Sequence, residues 1–355
     1  MSASPSAAYL RMAELAIGAR VALALRVVAE RRIADFVAQR PQSAEALGDA
    51  TGLPAEALRR LLRALTAFGV FEERPDGAFA KTALSAYMCE GSSPSVREMI
   101  LVLNDDAVID TWQHLAAVLE SGAPAFAAVN GTPFFEHIAA DPKRMALMGQ
   151  FMTGIYGPEG AKIAANFSFG RFHSLLDVGG GQGHILAEIL QRNPGIKGAL
   201  FELPQTAAIA REFLASKGFT GCEVIAGDFF KALPPGFDAY LIKSVLHDWN
   251  DESAIRILCA CREAMPQDGR VLIAELVVER GKPVGHPHRM IDLEMMVSFG
   301  GKERTAADFE RLFAGAGLKL EGIAPIPDSF FSVLEASRAS VVTMAEPETA
   351  VGGLT

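Results

Sequence analysis

The sequence predicts an α/β protein in which a doubly wound parallel sheet follows a helical N-terminal module of the winged-helix type. Short apolar runs alternate with helical segments from about residue 168 onwards, and such alternation implies a parallel sheet covered on both faces. A glycine-rich turn, Asp177-Val-Gly-Gly-Gly-Gln-Gly183, joins the first apolar run to a helical one. Two short helical patterns and a hairpin pattern lie between residues 43 and 81 and predict the N-terminal module.

The composition is that of a globular protein with two or three domains. The 355 residues are 50% hydrophobic and 21% charged, which is enough apolar surface for a sizeable core. A formal net charge of −9 disfavours a nucleic-acid partner, because a phosphate backbone attracts basic surfaces. The four cysteines do not indicate a disulfide framework, and arginines interrupt the apolar segment near the N-terminus. We therefore expect a cytoplasmic protein without a membrane partner.

The first 100 residues predict helices followed by a helix–turn–helix and a hairpin. Apolar residues recur at helical spacing from about 8 to 40, and Ser43 is of the type that N-caps prefer. A second helix is predicted over 55–68 and a β-hairpin over 69–81, and the helix–turn–helix with the hairpin makes a winged helix. Arginines on the second helix keep a DNA-binding regulator open as an alternative. Basic and acidic residues nearly balance in this region, so a scaffold for dimer packing is favoured.

Residues 101–166 predict a helical region rich in methionine, which Gly157-Pro-Glu-Gly160 is expected to interrupt. Most of these methionines are expected in the core, because methionine fills irregular gaps. Residues 339–355 lack periodicity and are predicted to form a disordered tail.

Five polar residues predict a single ligand site at one edge of the sheet. The strand candidates are 174–178, 196–201, 222–226, 237–243 and 270–278, with helices such as 184–192 and 205–216 between them. Ligands of parallel sheets bind beyond the carboxyl ends of the strands. The polar residues at or near these ends are Asp177, Glu202, Asp228, Lys243 and Glu275.

The glycine turn and the acid after the next strand indicate a nucleotide-like ligand. Glycines let backbone N–H groups approach such a ligand closely. Glu202 ends the following apolar run, and a carboxylate there can accept hydrogen bonds from both hydroxyls of a ribose. No lysine follows the glycines, so a P-loop for triphosphates is disfavoured.

His247 is the histidine whose position suits a general base. It follows a predicted strand end and precedes Asp248 and Trp249. A neutral imidazole can accept a proton near pH 7, and a neighbouring carboxylate can hold its tautomer. Cys259 and Cys261 share a predicted helix without a second pair of ligands, so no metal site is predicted.

The chain resembles the class I, S-adenosylmethionine-dependent small-molecule O-methyltransferases. This group includes the plant caffeate and flavonoid enzymes, acetylserotonin methyltransferases and bacterial natural-product methyltransferases. The resemblance runs from about residue 10 to 336 and implies a winged-helix dimerisation domain over 1–100, a helical linker to the substrate pocket over 101–166, and a Rossmann-like methyltransferase domain over 167–338. The matching motifs are Asp177-Val-Gly-Gly-Gly-Gln-Gly183, Phe201-Glu-Leu-Pro204, Gly227-Asp-Phe-Phe230, Leu246-His-Asp-Trp-Asn-Asp-Glu252, Ala274-Glu275 and Gly300-Gly-Lys-Glu-Arg-Thr305.

The resemblance implies S-adenosylmethionine as the cofactor and a homodimer that packs through the N-terminal domain. It implies that glycines of the turn approach the methionyl end of the cofactor, that Glu202 binds its ribose, and that Asp228 and Phe229 hold its adenine. Cofactor contacts are thereby implied for Asp177, Gly179, Gly181, Glu202, Leu203, Asp228, Phe229 and Lys243.

The resemblance implies that His247 accepts the proton, with Glu275 and Glu303 flanking the imidazole. A phenol has a pKa of about 10 and histidine about 6.5, so we expect proton removal to accompany the attack of the oxygen. The acceptor is expected to be a phenolic or polycyclic aromatic, held between residues 145–160 and 288–300. Candidate wall residues are Phe151, Met152, Tyr156, Asp248, Met290, Met295 and Phe299.

A second enzyme hypothesis keeps the same fold. Some relatives of this group carry out decarboxylation, hydroxylation or pericyclic chemistry, and a base does not identify the acceptor atom, so N- or C-methylation also stays open. The presence of His247 with Glu275 and Glu303 favours methyl transfer to oxygen.

Overall fold

The fold is described from a computed structural model of the chain. The structure describes residues 6–279, 281 and 286–339, except for the side chains at positions 155, 156 and 286–288. The predicted tail therefore lies, from residue 340 onwards, outside the described residues, and so does the side chain of Tyr156.

The N-terminal module contains the predicted two helices and hairpin. Ser43 caps the first of these helices by accepting a hydrogen bond from the Ala46 N–H at 3.2 Å. The second helix directs Leu58, Leu62 and Leu65 into the module's core. The elements are α1 (Ala7–Ala16), α2 (Gly18–Glu30), α3 (Ile33–Phe36), α4 (Ala44–Thr51), α5 (Ala55–Thr66), β1 (Phe71–Glu73), β2 (Phe79–Lys81) and α6 (Ala83–Ala86).

A helical region connects this module to the sheet. Its elements are α7 (Arg97–Leu103), α8 (Asp106–Trp112), α9 (Leu115–Ser121), α10 (Phe126–Asn130), α11 (Phe134–Ala139) and α12 (Pro142–Asn166). The expected interruption at residues 157–160 is wrong, because α12 continues through Pro158. An interior proline costs a helix about 3 kcal/mol. Packing of Ile163 and Ala164 in the core and an ion pair of 2.7 Å between Lys162 and Glu159 hold the helix beyond it.

The remaining elements form a seven-stranded sheet with helices on both faces. They are β3 (Ser174–Val178), α13 (His184–Arg192), β4 (Lys197–Glu202), α14 (Pro204–Ser216), β5 (Glu223–Ala226), β6 (Ala239–Lys243), α15 (Asp251–Ala264), β7 (Arg270–Leu276), α16 (His286–Glu294), α17 (Ala306–Gly315), β8 (Leu318–Pro325) and β9 (Phe331–Arg338). The strand order is β5-β4-β3-β6-β7-β9-β8. Residues of β6 alternate between two cores: Tyr240 and Ile242 belong to one, and Leu241 to the other.

The five predicted strands form the expected parallel sheet, and two strands that the sequence analysis did not predict, β8 and β9, make the sheet as a whole mixed. The five strands β3 to β7 pair in parallel, whereas β9 pairs antiparallel with both β7 and β8. A short turn joins β8 to β9, and consecutive strands joined in this way can pair only antiparallel. Within the described residues, no helix has both the length and the apolar character that a membrane crossing requires.

Candidate active site

The predicted site residues meet at the carboxyl edge of the parallel strands. The central strand β3 pairs with β4 on one side and β6 on the other, and β6 pairs with β7. Because these strands run in the same direction, their carboxyl ends share one edge. Asp177, Glu202, Lys243 and Glu275 lie at or near those four ends.

The glycine turn after β3 needs glycine for its backbone shape and for close packing. Gly179 has a φ of +69° and Gly181 a φ of +58°, values that side chains with a Cβ rarely adopt. A Cβ on Gly180 would overlap the Asp177 carboxylate. The turn therefore depends on glycine for its shape, and the N–H groups of Gly179, Gly181 and Gly183 bond within the fold, to Phe201, Glu202 and Gly180.

Two carboxylates flank this turn. Asp177 is fully buried, and among the described residues neither of its carboxylate oxygens has a hydrogen-bond partner. Glu202 accepts hydrogen bonds from the N–H groups of Gly181 at 3.2 Å and Leu203 at 2.6 Å. Burial raises the pKa of each carboxyl group to about 7, although the two N–H donors lower that of Glu202. Buried acids that lack partners indicate a site built to receive donors or a cation.

Asp228 and Phe229 lie beside the glycine turn, in the loop after β5. The Asp228 carboxylate accepts a hydrogen bond of 2.9 Å from the N–H of Phe230. The Phe229 ring is half-buried, with its centre 4.9 Å from that of Phe230 and 6.2 Å from that of Trp249. A Cβ on Gly179 would stand 3.7 Å from the Phe229 ring, so ring and turn are neighbours. Leu203 is 47% exposed after β4.

Lys243 ends β6 between the turn and the C-terminal hairpin. Its Nζ lies 3.3 Å from Ser244 Oγ and 4.9 Å from the centre of the Phe331 ring. Burial lowers its pKa to about 8, and the carboxylates of Asp177, Glu159 and Glu275 oppose that effect. The ammonium thus adds a positive charge to an edge that is rich in acids.

His247 lies on a single 3₁₀ turn, Leu246–Asp248, directly after β6. Its Nδ1 is 2.9 Å from Glu303 Oε1, and its Nε2 is 3.5 Å from Asp248 Oδ1. Glu275 contacts the backbone instead of the imidazole ring: its Oε1 accepts hydrogen bonds of 3.2 Å from the N–H groups of Val245 and His247. Glu303 therefore orients the ring, and Glu275 holds the turn that carries it.

The charges around His247 change its acidity. Burial by itself lowers the pKa of the imidazole, but the carboxylates of Asp248, Glu303 and Glu275 outweigh it and raise the pKa to about 10. Burial also raises the pKa of Asp248 to about 7 and raises that of Glu275, while the His247 charge opposes both effects. The carboxylates therefore make the His247 imidazole a stronger base than an ordinary histidine.

A small cleft, partly open to solvent, adjoins this cluster. The side chains that line it are His247, Glu275, Leu276, Ile291, Glu303, Phe330 and Phe331. Sequence reasoning missed the two phenylalanines because it missed β8 and β9. The apolar run over residues 330–336 was the signal for a strand there.

The predicted substrate-wall residues are spread over several environments. Phe151 is half-buried and Met152 is 38% exposed on α12, while Met290 is 49% exposed on α16. Met295 is buried, and Phe299 packs on the Phe134 ring with 4.8 Å between the centres. The structure thus brings Asp248 to the imidazole but does not place Met295 or Phe299 in the cleft beside it. In the part of the chain that the structure describes, no group of three or more His, Cys, Asp or Glu side chains could hold a metal ion.

Comparisons with known proteins agree with this architecture. Residues 112–319 match the O-methyltransferase domain, and residues 13–91 match the O-methyltransferase dimerisation domain. The mitomycin biosynthesis 6-O-methyltransferase of Streptomyces lavendulae is 34% identical over 95% of this chain and 97% of its own. The phenazine O-methyltransferase of Lysobacter antibioticus is 34% identical over 91% of this chain and 94% of its own. The 8-amino-8-demethylriboflavin N,N-dimethyltransferase of Streptomyces davaonensis is 33% identical over 90% of this chain and 92% of its own.

Solved structures show the same fold with ligands. The structure of the mitomycin 7-O-methyltransferase superposes with a TM-score of 0.89 at 33% identity, covering 94% of this chain and 98% of the other. An O-methyltransferase from neocarzinostatin biosynthesis, solved with S-adenosylmethionine and 2-hydroxy-5-methyl naphthoic acid, gives a TM-score of 0.80 at 32% identity, with 90% and 96% coverage. It was also solved with S-adenosylhomocysteine and 1,4-dihydroxy-2-naphthoic acid.

A glycine turn and strand-end acids at the edge of such a sheet, behind a dimerisation module, define an S-adenosylmethionine-dependent methyltransferase. Within that class, the chain belongs to the O-methyltransferase family. It is an S-adenosylmethionine-dependent enzyme of that family.

Gly301→Ala tests how closely the 300–305 segment must approach the His247 turn. A Cβ on Gly301 would overlap the backbone carbonyl of His247, so the turn must move. We expect methyl transfer to fall about 100-fold, as for a displacement of about 1 Å at a reacting group. Gly322→Ala is the matched control, because a Cβ there meets open space. Wild-type rates in Gly301→Ala would show that the close approach is unimportant.

Proposed function

We propose that this enzyme methylates a hydroxyl group on an aromatic acceptor, with His247 as the general base. The observation that carries the proposal is the buried imidazole, whose Nδ1 lies 2.9 Å from Glu303 Oε1 and which lines a cleft with Phe330 and Phe331. Aromatic and aliphatic walls suit a flat, apolar acceptor. The relatives include a phenazine O-methyltransferase and a 2,7-dihydroxy-5-methyl-1-naphthoate 7-O-methyltransferase, which supports the same class of acceptor.

The chemistry follows from the basicity of His247. When bound, S-adenosylmethionine supplies an electrophilic methyl carbon and a thioether leaving group. His247 takes the hydroxyl proton on Nε2 as the acceptor oxygen attacks. A phenol has a pKa of about 10, and the carboxylates raise the pKa of His247 to about 10 after the opposing effect of burial. The raised basicity makes proton transfer from the hydroxyl to His247 less unfavourable than transfer to an ordinary histidine.

The cofactor residues fit the group they would hold. Glu202 would bind the ribose, since each of its oxygens already accepts one N–H and keeps a lone pair for a hydroxyl. Asp228 and Phe229 would hold the adenine by a hydrogen bond and by ring stacking. The unpartnered Asp177 would complement the positive end of the cofactor, and Lys243 would contact it from the end of β6.

The acceptor would lie over His247 and Asp248, between α12 and α16. The half-exposed Met152 and Met290 would form its outer walls, together with Phe151. Phe330 and Phe331 would form a further wall, supplied by the β8–β9 hairpin.

The N-terminal domain supports assembly into a homodimer. α1 buries none of its own residues and exposes Tyr9 (64%), Leu10 (51%), Met12 (66%) and Leu15 (55%). An apolar surface of this kind marks an interface. A second copy would cover it, and the match to a dimerisation domain over residues 13–91 supports that partner.

A second candidate is methyl transfer to nitrogen. One relative in the comparison is an N,N-dimethyltransferase for an aminoriboflavin, at 33% identity. The same base could receive a proton from an aromatic amine, so the acceptor atom has to be tested directly.

An acceptor screen tests the proposed reaction. We would supply methyl-labelled S-adenosylmethionine with 1,4-dihydroxy-2-naphthoic acid, hydroxyphenazine and aminophenazine. We expect label on a hydroxyl-bearing acceptor and a fall of about 10² to 10⁴-fold in His247→Ala, the usual contribution of a general base. The exposed His173→Ala serves as the control. Undiminished transfer in His247→Ala would reject the base, and label on the amine alone would favour N-methylation.

The pH dependence of kcat/KM should report the raised pKa of His247. The imidazolium cannot accept a proton, so the rate should rise with pH until the ring deprotonates at about 10, instead of levelling near the ordinary value. Glu303→Gln removes a carboxylate that stabilises the imidazolium, so the rising limb should move to lower pH while the maximum rate falls. Because the same acceptor is used with both proteins, its own ionisation contributes equally to the two pH profiles. If the rising limb of the pH profile does not move in Glu303→Gln, the assignment of that limb to His247 is contradicted.

Light scattering after size exclusion tests the dimer. We expect twice the mass of one chain for wild type, because the apolar face of α1 would otherwise face water. Leu10→Asp with Leu15→Asp should shift the protein towards one chain, since a buried charge is costly. Leu119→Asp is the control, because Leu119 is also an exposed leucine (65%) but lies on α9, in the helical region that follows the N-terminal module. A monomeric wild type would reject the proposal.

A further inference from the structure

Arg304 is the largest fully buried side chain of the described residues, and the proposed chemistry leaves it without a role. It follows Glu303, the residue that orients the His247 ring. A buried guanidinium is costly unless every N–H group finds an acceptor. The acceptors that Arg304 has found therefore indicate what it does.

Its hydrogen bonds bracket the turn that carries His247. Nη1 donates to the carbonyl of Leu246 at 2.6 Å, and Nη2 donates to the carbonyl of Trp249 at 2.7 Å. Leu246 immediately precedes His247, and Trp249 follows it by two positions. Nη2 and Nε also donate to Asp251 Oδ1, at 2.9 and 3.1 Å. One planar fork thus spans both ends of the turn and the start of α15.

Neighbouring residues of the 300–305 segment reinforce this contact. The N–H of Lys302 donates to the carbonyl of His247 at 2.9 Å, and its ammonium lies 2.7 Å from Asp251 Oδ2. The N–H of Glu303 donates to Asp292 Oδ1 on α16 at 2.8 Å. The turn, the orienting carboxylate and α16 are therefore joined through one stretch of extended backbone.

The turn needs an anchor of this kind because it belongs to no regular element. It has one 3₁₀ turn, and Ser244 before it has a φ of +52°, a conformation that a residue with a side chain rarely adopts. Its own backbone therefore does little to fix the imidazole. Hydrogen bonds from Arg304 set the distance between the turn and Glu303, the residue that precedes Arg304 in the chain.

We propose that Arg304 is a positioning residue for methyl transfer, which holds the His247 turn in register with Glu303 so that the imidazole keeps its orientation. Asp251 is its counterion and shares that function. Only the predicted effect of Arg304 on the rate of methyl transfer rests on the proposed function, in which His247 is the base. Its structural content, the geometry of the His247–Glu303 pair, can be measured without any acceptor.

Arg304→Lys is the informative variant. Lysine keeps the positive charge, but its single ammonium cannot reach two carbonyls and a carboxylate at once. Arg338→Lys is the matched control, because Nη2 of Arg338 also donates to two backbone carbonyls, those of Arg262 and Met265, at the far end of α15. Any general cost of replacing an arginine that binds two backbone carbonyls should appear in both variants.

The readout is the titration of His247 followed by NMR, in protein labelled with carbon-13 at the histidine Cε1. His247→Ala identifies its signal among the seven histidines. In wild type the midpoint should lie well above the ordinary value of about 6.5. In Arg304→Lys it should fall by about one pH unit or more, as the bond to Glu303 loosens. In Arg338→Lys it should stay at the wild-type value.

An unchanged midpoint in folded Arg304→Lys would overturn the proposal. Should that variant fail to fold, Asp251→Asn provides the same test, because it removes the counterion and keeps the side-chain size. With an acceptor in hand, Arg304→Lys should lower kcat about 10 to 100-fold and should cost little more when added to His247→Ala, since the two act as a unit. Full activity in His247→Ala would reject the base instead, whatever the midpoint.

Discussion

The burial of His247 among carboxylates is the constraint on which the rest of the site depends. A buried imidazole is ordinarily less basic than a free one, because burial disfavours its charged form. Here Asp248, Glu303 and Glu275 reverse that tendency and bring the pKa of the imidazole to about 10. The reversal holds only while the carboxylates stay close to the ring, so the surrounding structure has to prevent the turn from relaxing.

Three parts of the fold meet that requirement. The parallel strands deliver the turn and Glu275 to the same edge. The 300–305 segment crosses the turn so closely that Gly301 has no room for a side chain. The antiparallel pairing of β9 with β7 places Phe331 opposite Leu276, beside the cleft. The β8–β9 hairpin thus forms an apolar wall next to His247 and its carboxylates.

The sequence predicted the parts of the site that have local signatures. Gly179, Gly181 and Glu202 could be identified because a turn with positive φ needs glycine and because an acid at a strand end stands out from an apolar run. The course of α12 through Pro158, the wall formed by Phe331 and the contacts of Arg304 could not be predicted. Each depends on residues distant in the chain. The raised pKa of His247 does so too, because only Asp248 of the three carboxylates that raise it is a neighbour in sequence.

A crystal structure with S-adenosylhomocysteine and 1,4-dihydroxy-2-naphthoic acid tests the account most directly, because it locates the acceptor oxygen relative to His247. The account predicts a hydroxyl oxygen within hydrogen-bond distance of Nε2, about 2.6–3.2 Å, with Nδ1 still bonded to Glu303 and the ribose on Glu202. An acceptor bound with its hydroxyl away from the imidazole, against another side chain, would contradict the claim that His247 removes the proton.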